Sequence, residues 1–258
     1  MVTGGAGRIG EALVRTFMEA GMNVVIADVD LERAQALAST LTGGEVKALA
    51  VETDVSDLSS VTELAAKAID EFGAVHLLCN NAGRILHRSV EELTAADWDR
   101  VISSHLGGVI NGLLAFLPGM MDASGDRHIV NTASMAGVGL GSLRATGIPY
   151  VTAKFAITGM TEALAPALAP HGIGASVLCP GLVRAEANPV AGPSVAAKLY
   201  GDEILHPMKV ASLTLDAIKT NRVHIFTHRA SVWEVVERHR LLLGDLGVIS
   251  PVGELAGP

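Results

Sequence analysis

Tyr150 and Lys154 are the residue types in this sequence best placed to move a proton. Pro149 precedes them, a natural first-turn residue because its missing N–H would be unpaired there anyway. The long apolar run from Tyr150 to Ala169 then reads as a helix. Four residues apart on a helix, Tyr150 and Lys154 share a face, roughly 5–6 Å apart at Cβ. A phenol titrates near ~10, and a fixed ammonium beside it favours the phenolate. Lowering it by about three units takes roughly 4 kcal/mol and would make Tyr150 a general acid and base. Ser134 follows the apolar run His128 to Ala133, a predicted buried strand. Its hydroxyl would then stand at the carboxyl end of that strand, where open α/β sheets bind ligands. Tyr and Lys at this spacing also occur on ordinary surface helices, so the pair alone defines no site.

The elements that would position these groups alternate between strand and helix. The chain opens Met1-Val2-Thr3-Gly4-Gly5-Ala6-Gly7-Arg8-Ile9-Gly10, followed by an amphipathic run from Glu11 to Ala20. Glycines ahead of a helix let the backbone approach a pyrophosphate, which the helix N-terminus attracts. The spacing is not G-x-G-x-x-G, and Met1 and Val2 make a short first strand, which reads as the end of a natural strand that starts upstream. The second strand, Met22 to Ala27, is closed by Asp28. An acidic residue about 20 positions past the glycines is placed to accept from adenosine ribose hydroxyls and to repel a 2′-phosphate by about 1–4 kcal/mol. Asp30 can cap the helix from Leu31 to Thr40, which leaves Asp28 for the ribose.

Further strands are predicted at Val46 to Val51, Val75 to Cys79, Ile173 to Leu178 and Val223 to Thr227. Helices are predicted from Leu58 to Phe72 behind Asp57, from Thr94 to about Leu117, from Met208 to Thr220 and from Ser231 to Leu243. Arg84 to Glu92 reads as loop. The alternation implies one α/β domain, a doubly wound parallel sheet of about seven strands with helices on both faces. The irregular stretch 186–206 reads as a substrate lid, and 244–258 as an extended tail. With 258 residues the chain is long enough for one large core, and its net charge of −8 argues against nucleic acid. Cys79 and Cys179 lie in apolar runs, as buried thiols in a reducing cytoplasm would. The nine histidines show no metal-ligand spacing, and the apolar stretch Leu106 to Met121 is short for a membrane span.

Taken in order, the Thr-Gly turn, Asp28, Asp54-Val55, Asn80-Asn81-Ala82-Gly83, Ser134, Tyr150-x-x-x-Lys154 and Pro180-Gly181 resemble the short-chain dehydrogenases/reductases, over Val2 to about His239. The resemblance implies a Rossmann-like fold and reversible hydride transfer between NAD(H) and a secondary alcohol or ketone. It implies that Ser134 holds the substrate oxygen, Tyr150 passes the proton, and Lys154 lowers the tyrosine pKa and binds the nicotinamide ribose. Gly4, Arg8, Ile9 and Gly10 would line the cofactor turn, and Asp28 would bind the adenosine ribose. Asp54 and Val55 would flank the adenine. Asn80, Ala82 and Gly83 would lie along the cofactor, with Pro180, Gly181 and Val183 beside the nicotinamide. It also implies a homodimer or homotetramer joined through the long helices.

Three positions depart from that pattern. Arg8 replaces the middle turn glycine, as in a pteridine-reductase-like subset that prefers NADPH, so NADP competes with NAD as the cofactor. His105 occupies the place of an active-site asparagine that holds a proton-relay water. An imidazole can also donate and accept, and a helix-packing histidine is the equal alternative. Ala185 replaces a threonine near the nicotinamide amide. The loop Gly137 to Gly147 is about three residues longer than usual. A largely apolar pocket is expected from Leu86, Val138 to Leu143, Ile148, Leu182 and the lid. An anionic substrate is the expectation if two of Arg84, Arg144 and Arg184 face it. The rival to an enzyme is a dinucleotide-binding sensor or assembly protein of the same fold with impaired catalysis.

Overall fold

The computed structural model describes residues 1–41, 44–84, 86, 88–139, 147–184, 204–228 and 232–247. Seven strands form one sheet: β1 (Val2–Thr3), β2 (Val24–Asp28), β3 (Ala48–Glu52), β4 (Leu77–Asn80), β5 (Arg127–Thr132), β6 (Ile173–Cys179) and β7 (His224–Phe226). Their order is β3-β2-β1-β4-β5-β6-β7, and every neighbouring pair is parallel. The chain winds outward in one direction from β1 and in the other from β4. The switch point between those two strands opens a crevice at their carboxyl ends. Thr3, Asn80, Ser134 and Pro180 all stand at that edge.

Alternation along each strand builds two core layers, because successive strand side chains point to opposite faces. On one face Ile26, Cys79, Val130 and Leu178 meet Leu13 and Phe17 of α1 (Arg8–Glu19) and Val210 and Ala217 of α6 (Pro207–Lys219). On the other, Val25, Leu78 and Ile129 meet Val61, Leu64 and Ala68 of α3 (Leu58–Phe72) and Phe116 and Met120 of α4 (Ala95–Asp122). Helix α2 (Leu31–Thr40) is capped by Asp30, whose side chain accepts from the Arg33 N–H at 3.1 Å. Asp57 caps α3 in the same way through the Ser59 N–H.

Helix α4 runs Ala95–Asp122, longer than the sequence suggests. It opens on a capping box in which Thr94 and Asp97 each accept from the other's backbone N–H. It closes under Arg127, which donates to the Met120 and Met121 carbonyls. A π-helical turn, Ser103–Gly107, interrupts it. By length and composition this 28-residue helix could cross a membrane, contrary to the reading of Leu106 to Met121 as too short. Here its Val109, Gly112, Phe116 and Met120 are buried against the protein core.

Other boundaries also move. Helix α1 begins at Arg8, so Arg8, Ile9 and Gly10 form its first turn rather than the loop before it. The loop after Gly83 contains a 3-10 turn, Val90–Glu92. Helix α5 spans Ile148–Leu168, and α7 spans Val232–Asp245, taking the first residues assigned to the tail. Residues 248–258, the loop 140–146 with Arg144, and 185–203, most of the expected lid together with Ala185, lie outside the described residues. The lid's described end is fixed: Leu205 pairs with Val183, and the His206 side chain accepts from the Met208 N–H at the start of α6.

Candidate active site

At the head of α1 the N-cap is Gly7, which offers no side-chain acceptor to the first turn. The uncapped N–H groups and the positive end of the helix dipole suit an anion. Gly4 sits at φ 60°, the left-handed region that favours glycine, and a Cβ there would come within 2.8 Å of the Ala82 backbone. A Cβ on Gly10 would collide with the Gly4 carbonyl. The glycines therefore give a bare, close-folded turn at the switch point, and this cradle fits a dinucleotide diphosphate.

Asp28 closes β2 beside that turn. It is not left free by the Asp30 cap, as the sequence suggests: its Oδ2 accepts from the Ala6 N–H at 3.0 Å and its Oδ1 from the Asp30 N–H at 3.1 Å. Each oxygen keeps a further lone pair for a ribose hydroxyl. Arg33 donates to the Ala6 carbonyl at 2.9 Å, so a carboxylate holds the N–H and a guanidinium the C=O of one turn residue. Sequence reasoning passed over Arg33 because it sits in an ordinary helix first turn. Arg8, expected to reach a phosphate, instead donates to the Val183 carbonyl at 2.9 Å and ties the cofactor turn to the far wall of the crevice.

The Asn80-to-Gly83 turn is held by Thr3, whose hydroxyl accepts from the Asn81 N–H at 2.9 Å and the Ala82 N–H at 3.1 Å. Asn80 does not turn its side chain toward the crevice. Its amide is buried and donates to Asn131 at 2.9 Å, and Asn131 donates in turn to Thr161. Val55 is buried with its carbonyl bonded to the Asn111 amide, while Asp54 is exposed and accepts from the Ser56 N–H.

Tyr150 and Lys154 share the inner face of α5, as their spacing requires, and Lys154 Nζ lies 5.5 Å from the Tyr150 ring centre. The ammonium is 3% exposed and donates to the Thr132 carbonyl at 2.6 Å, two residues before Ser134. Burial pulls the Lys154 pKa down to about 7. Tyr150 packs with Val101, Ala136, Val151 and Leu86 in an apolar cluster. Ser134 is 9% exposed. Its Oγ accepts from the Ala136 N–H at 3.1 Å and donates to the Pro180 carbonyl at 3.4 Å. Val138, expected on the pocket rim, is buried with Met135 and Ile157 instead. The turn carrying it is drawn against α5, where a Cβ on Gly137 would sit 2.5 Å from the Lys154 carbonyl. Arg84 and Arg184 are exposed.

His105 lies on the π-turn, 3% exposed, with its ring edge-on to Tyr150 at 5.3 Å. Nε2 is 2.9 Å from the Arg84 carbonyl, which can only accept, so Nε2 carries the hydrogen and Nδ1 is a bare acceptor. That Nδ1 is buried without a partner among the described residues and abuts Gly83. Burial first, and the Lys154 ammonium second, lower the His105 pKa to about 4, so the ring is neutral at pH 7.

The far wall of the crevice is the turn Pro180 to Val183. Two other cavities, of about 280 Å³ beneath Met1 and about 510 Å³ between α5 and β7, lie at the opposite edge of the sheet and take no part in this arrangement.

A doubly wound sheet with a bare glycine turn and a Ser-Tyr-Lys edge is the architecture of a dinucleotide-linked oxidoreductase. The sequence profile described as short chain dehydrogenase matches residues 1–193, and the chain belongs to that family. It is 30% identical over 239 residues to a 1-deoxy-11-beta-hydroxypentalenate dehydrogenase of Streptomyces exfoliatus, covering 88% of this chain and 82% of that one. A cyclohexanol dehydrogenase of Acinetobacter sp. is 34% identical over 185 residues, 71% of this chain and 72% of the other. A solved short chain dehydrogenase/reductase from Burkholderia phymatum, in complex with NAD, is 32% identical. It superposes with a TM-score of 0.83 over 99% of this chain and 96% of its own.

Proposed function

We propose that this protein interconverts a secondary alcohol and its ketone with a nicotinamide dinucleotide, NAD(H) in preference to NADP(H). The observation that carries the reading is the buried Lys154 ammonium beside the Tyr150 ring, at the edge where the cofactor cradle opens. The names of the relatives, alcohol dehydrogenases among them, and the NAD complex of a similar structure support it.

In the reducing direction Tyr150 gives its phenolic proton to the substrate oxygen, and Ser134 donates a hydrogen bond to the same atom. Lys154 stabilises the phenolate left behind, because a positive charge in a poorly solvated site favours the anion. The dinucleotide, when bound, supplies or accepts the hydride. Its diphosphate would rest on the head of α1, its adenosine ribose on Asp28, and its nicotinamide beside Pro180 and Gly181. Asp28 is the basis for NAD, since its carboxylate repels a 2′-phosphate, and Arg33 is the cation that would oppose that preference. His105 would stand in for the relay asparagine, its bare Nδ1 being the acceptor offered to a relay water. Leu86, Val101, Ala136 and Val151 make the substrate wall apolar. The exposed Ile110, Leu114 and Met121, on one face of α4, are the proposed contact between copies in a homo-oligomer.

The test is separate fluorescence titration of NADH and NADPH, then turnover with a panel of ketones and secondary alcohols, with Tyr150→Phe as control. Tighter NADH binding and turnover lost in Tyr150→Phe are expected. Tighter NADPH binding would refute the role given to Asp28. Binding without turnover on any member would favour a sensor over an enzyme, and no binding by a folded sample would overturn the proposal.

A further inference from the structure

The turn Pro180-Gly181-Leu182-Val183 has no hydrogen-bonding side chain of its own, yet among the described residues it forms the far wall of the crevice. Its backbone is held from elsewhere. Arg8 reaches across from α1 to the Val183 carbonyl at 2.9 Å. Leu205 donates to the Leu182 carbonyl at 3.0 Å and accepts from the Arg184 N–H at 2.9 Å. Met135 N–H and Ser134 Oγ donate to the Pro180 carbonyl, and a further hold comes from the end of β7, through a residue the sequence did not single out. His228 is fully buried. Its Nε2 lies 3.0 Å from the Leu182 carbonyl, and its Nδ1 lies 3.2 Å from the Gly181 N–H and 2.7 Å from Thr227 Oγ1, which shares that N–H at 3.3 Å and is itself oriented by the ring.

The partners dictate the state of the ring. A carbonyl only accepts, so Nε2 carries the hydrogen, and Nδ1 must then be the acceptor. The imidazole thus offers one donor and one acceptor, a fixed distance apart, to two consecutive residues of one turn. Neither Lys nor Ser could present that pair. The ring also fills the space beside Gly181, where a Cβ would come within 2.7 Å of Nδ1. Most buried polar atoms are satisfied, and here the crevice wall satisfies Nε2 while Nδ1 is shared between the wall and Thr227.

We infer that His228 is a positioning residue that sets the Pro180-to-Val183 turn, and with it the nicotinamide side of the crevice, through a neutral ring bridging Gly181 N–H and the Leu182 carbonyl. This rests on the proposed function for what the turn meets, but not for the hold itself. The experiment therefore has two readouts. Backbone hydrogen exchange of residues 178–184 in the unliganded protein reports the hold, and NADH titration and kcat against KM report its use.

His228→Asn keeps an acceptor at the Nδ1 position, His228→Gln keeps a donor at the Nε2 position, and His228→Leu keeps neither. Exchange of the Gly181 amide is expected to quicken about tenfold in His228→Leu and His228→Gln and to stay slow in His228→Asn, since one lost hydrogen bond to a buried group corresponds to roughly that factor. NADH affinity is expected to fall about tenfold in His228→Leu with partial rescue in both polar variants, and kcat to fall more than the alcohol KM rises. Unchanged exchange in a folded His228→Leu would overturn the inference. Faster exchange with unchanged NADH affinity and kcat, in a protein whose wild type turns over, would refute the positioning role. If the wild type binds no dinucleotide, the exchange result still decides the hold, and only the proposed function fails. Should His228→Leu not fold, the Asn and Gln variants carry the same comparison.

Discussion

Two buried imidazoles should make this fold acid-sensitive, and the size of the effect follows from their surroundings. His105 lies on the π-turn against Tyr150. His128 opens β5, with Nε2 2.7 Å from Ser176 Oγ, which donates in turn to the Arg222 carbonyl at 2.6 Å. Burial lowers both from an ordinary 6.5 to about 4. Between those values the unfolded chain binds more protons than the folded one, so stability rises with pH across that window and is lost as pH falls through it. At pH 5 the proton-binding ratio of unfolded to folded ring is about 30, or about 2 kcal/mol for each histidine, against about 0.2 at pH 7. Together they remove about 4 kcal/mol between pH 7 and pH 5, a large part of a typical ~5–15 kcal/mol stability. His105→Gln and His128→Gln keep a donor where Nε2 stands and remove the titration. Urea unfolding at pH 7 and pH 5 should show each single variant losing about 2 kcal/mol less than wild type on acidification, and the double variant about 4 less. A double variant with the wild-type pH slope would refute the reasoning.

Other perturbations have equally definite outcomes. Gly10→Ala should keep the far-UV circular dichroism but weaken NADH binding at least about tenfold, because the new methyl displaces the Gly4 carbonyl; unchanged affinity would contradict the close-packed cradle. Asp97→Ala removes half of the capping box and the 3.2 Å contact with Arg88, and should lower unfolding free energy by about 1–2 kcal/mol in urea. Arg127→Ala takes a guanidinium from four carbonyls, those of Met120, Met121, Gly125 and His171. It should cost about 2 kcal/mol, read from the urea midpoint, with no change in NADH affinity.

What the sequence made legible was local. Tyr150 with Lys154, Asp30 as a cap, and the glycine turn all depend on spacings of a few residues, and helix and strand periods convert such spacings directly into geometry. The parallel sheet of about seven strands followed from alternation, whereas the strand order, and with it the switch point between β1 and β4, comes from the structure. The misses are long-range. Thr3 bonds to residues 78 and 79 positions away, Arg8 to one 175 away, and His228 to a turn 46–47 away, so nothing near them in sequence marks them. Asn80 reads as a crevice residue by its motif, yet it serves the interior because Asn131 on the next strand faces it. The π-turn is silent for another reason. The arm that follows it is apolar on most sides, so a shift in phase leaves no trace in the hydrophobic pattern.

That turn makes α4 a helix with one residue more than its regular winding needs. The surplus is taken up over five positions, and His105 is the middle one. Removing a single residue there would let the two α-helical arms run on as one continuous spiral, with their hydrogen bonds intact and their ends nearly in place. Only the side chains within the turn would change direction, because the wide turn already absorbs the extra residue's roughly 100° of winding. A one-residue deletion within 103–107 is thus an edit of direction more than of stability: it would swing an imidazole away from the crevice while leaving a folded domain. In a lineage of such chains, the length of this helix, counted in single residues, would be as informative about chemistry as the identity of any side chain on it.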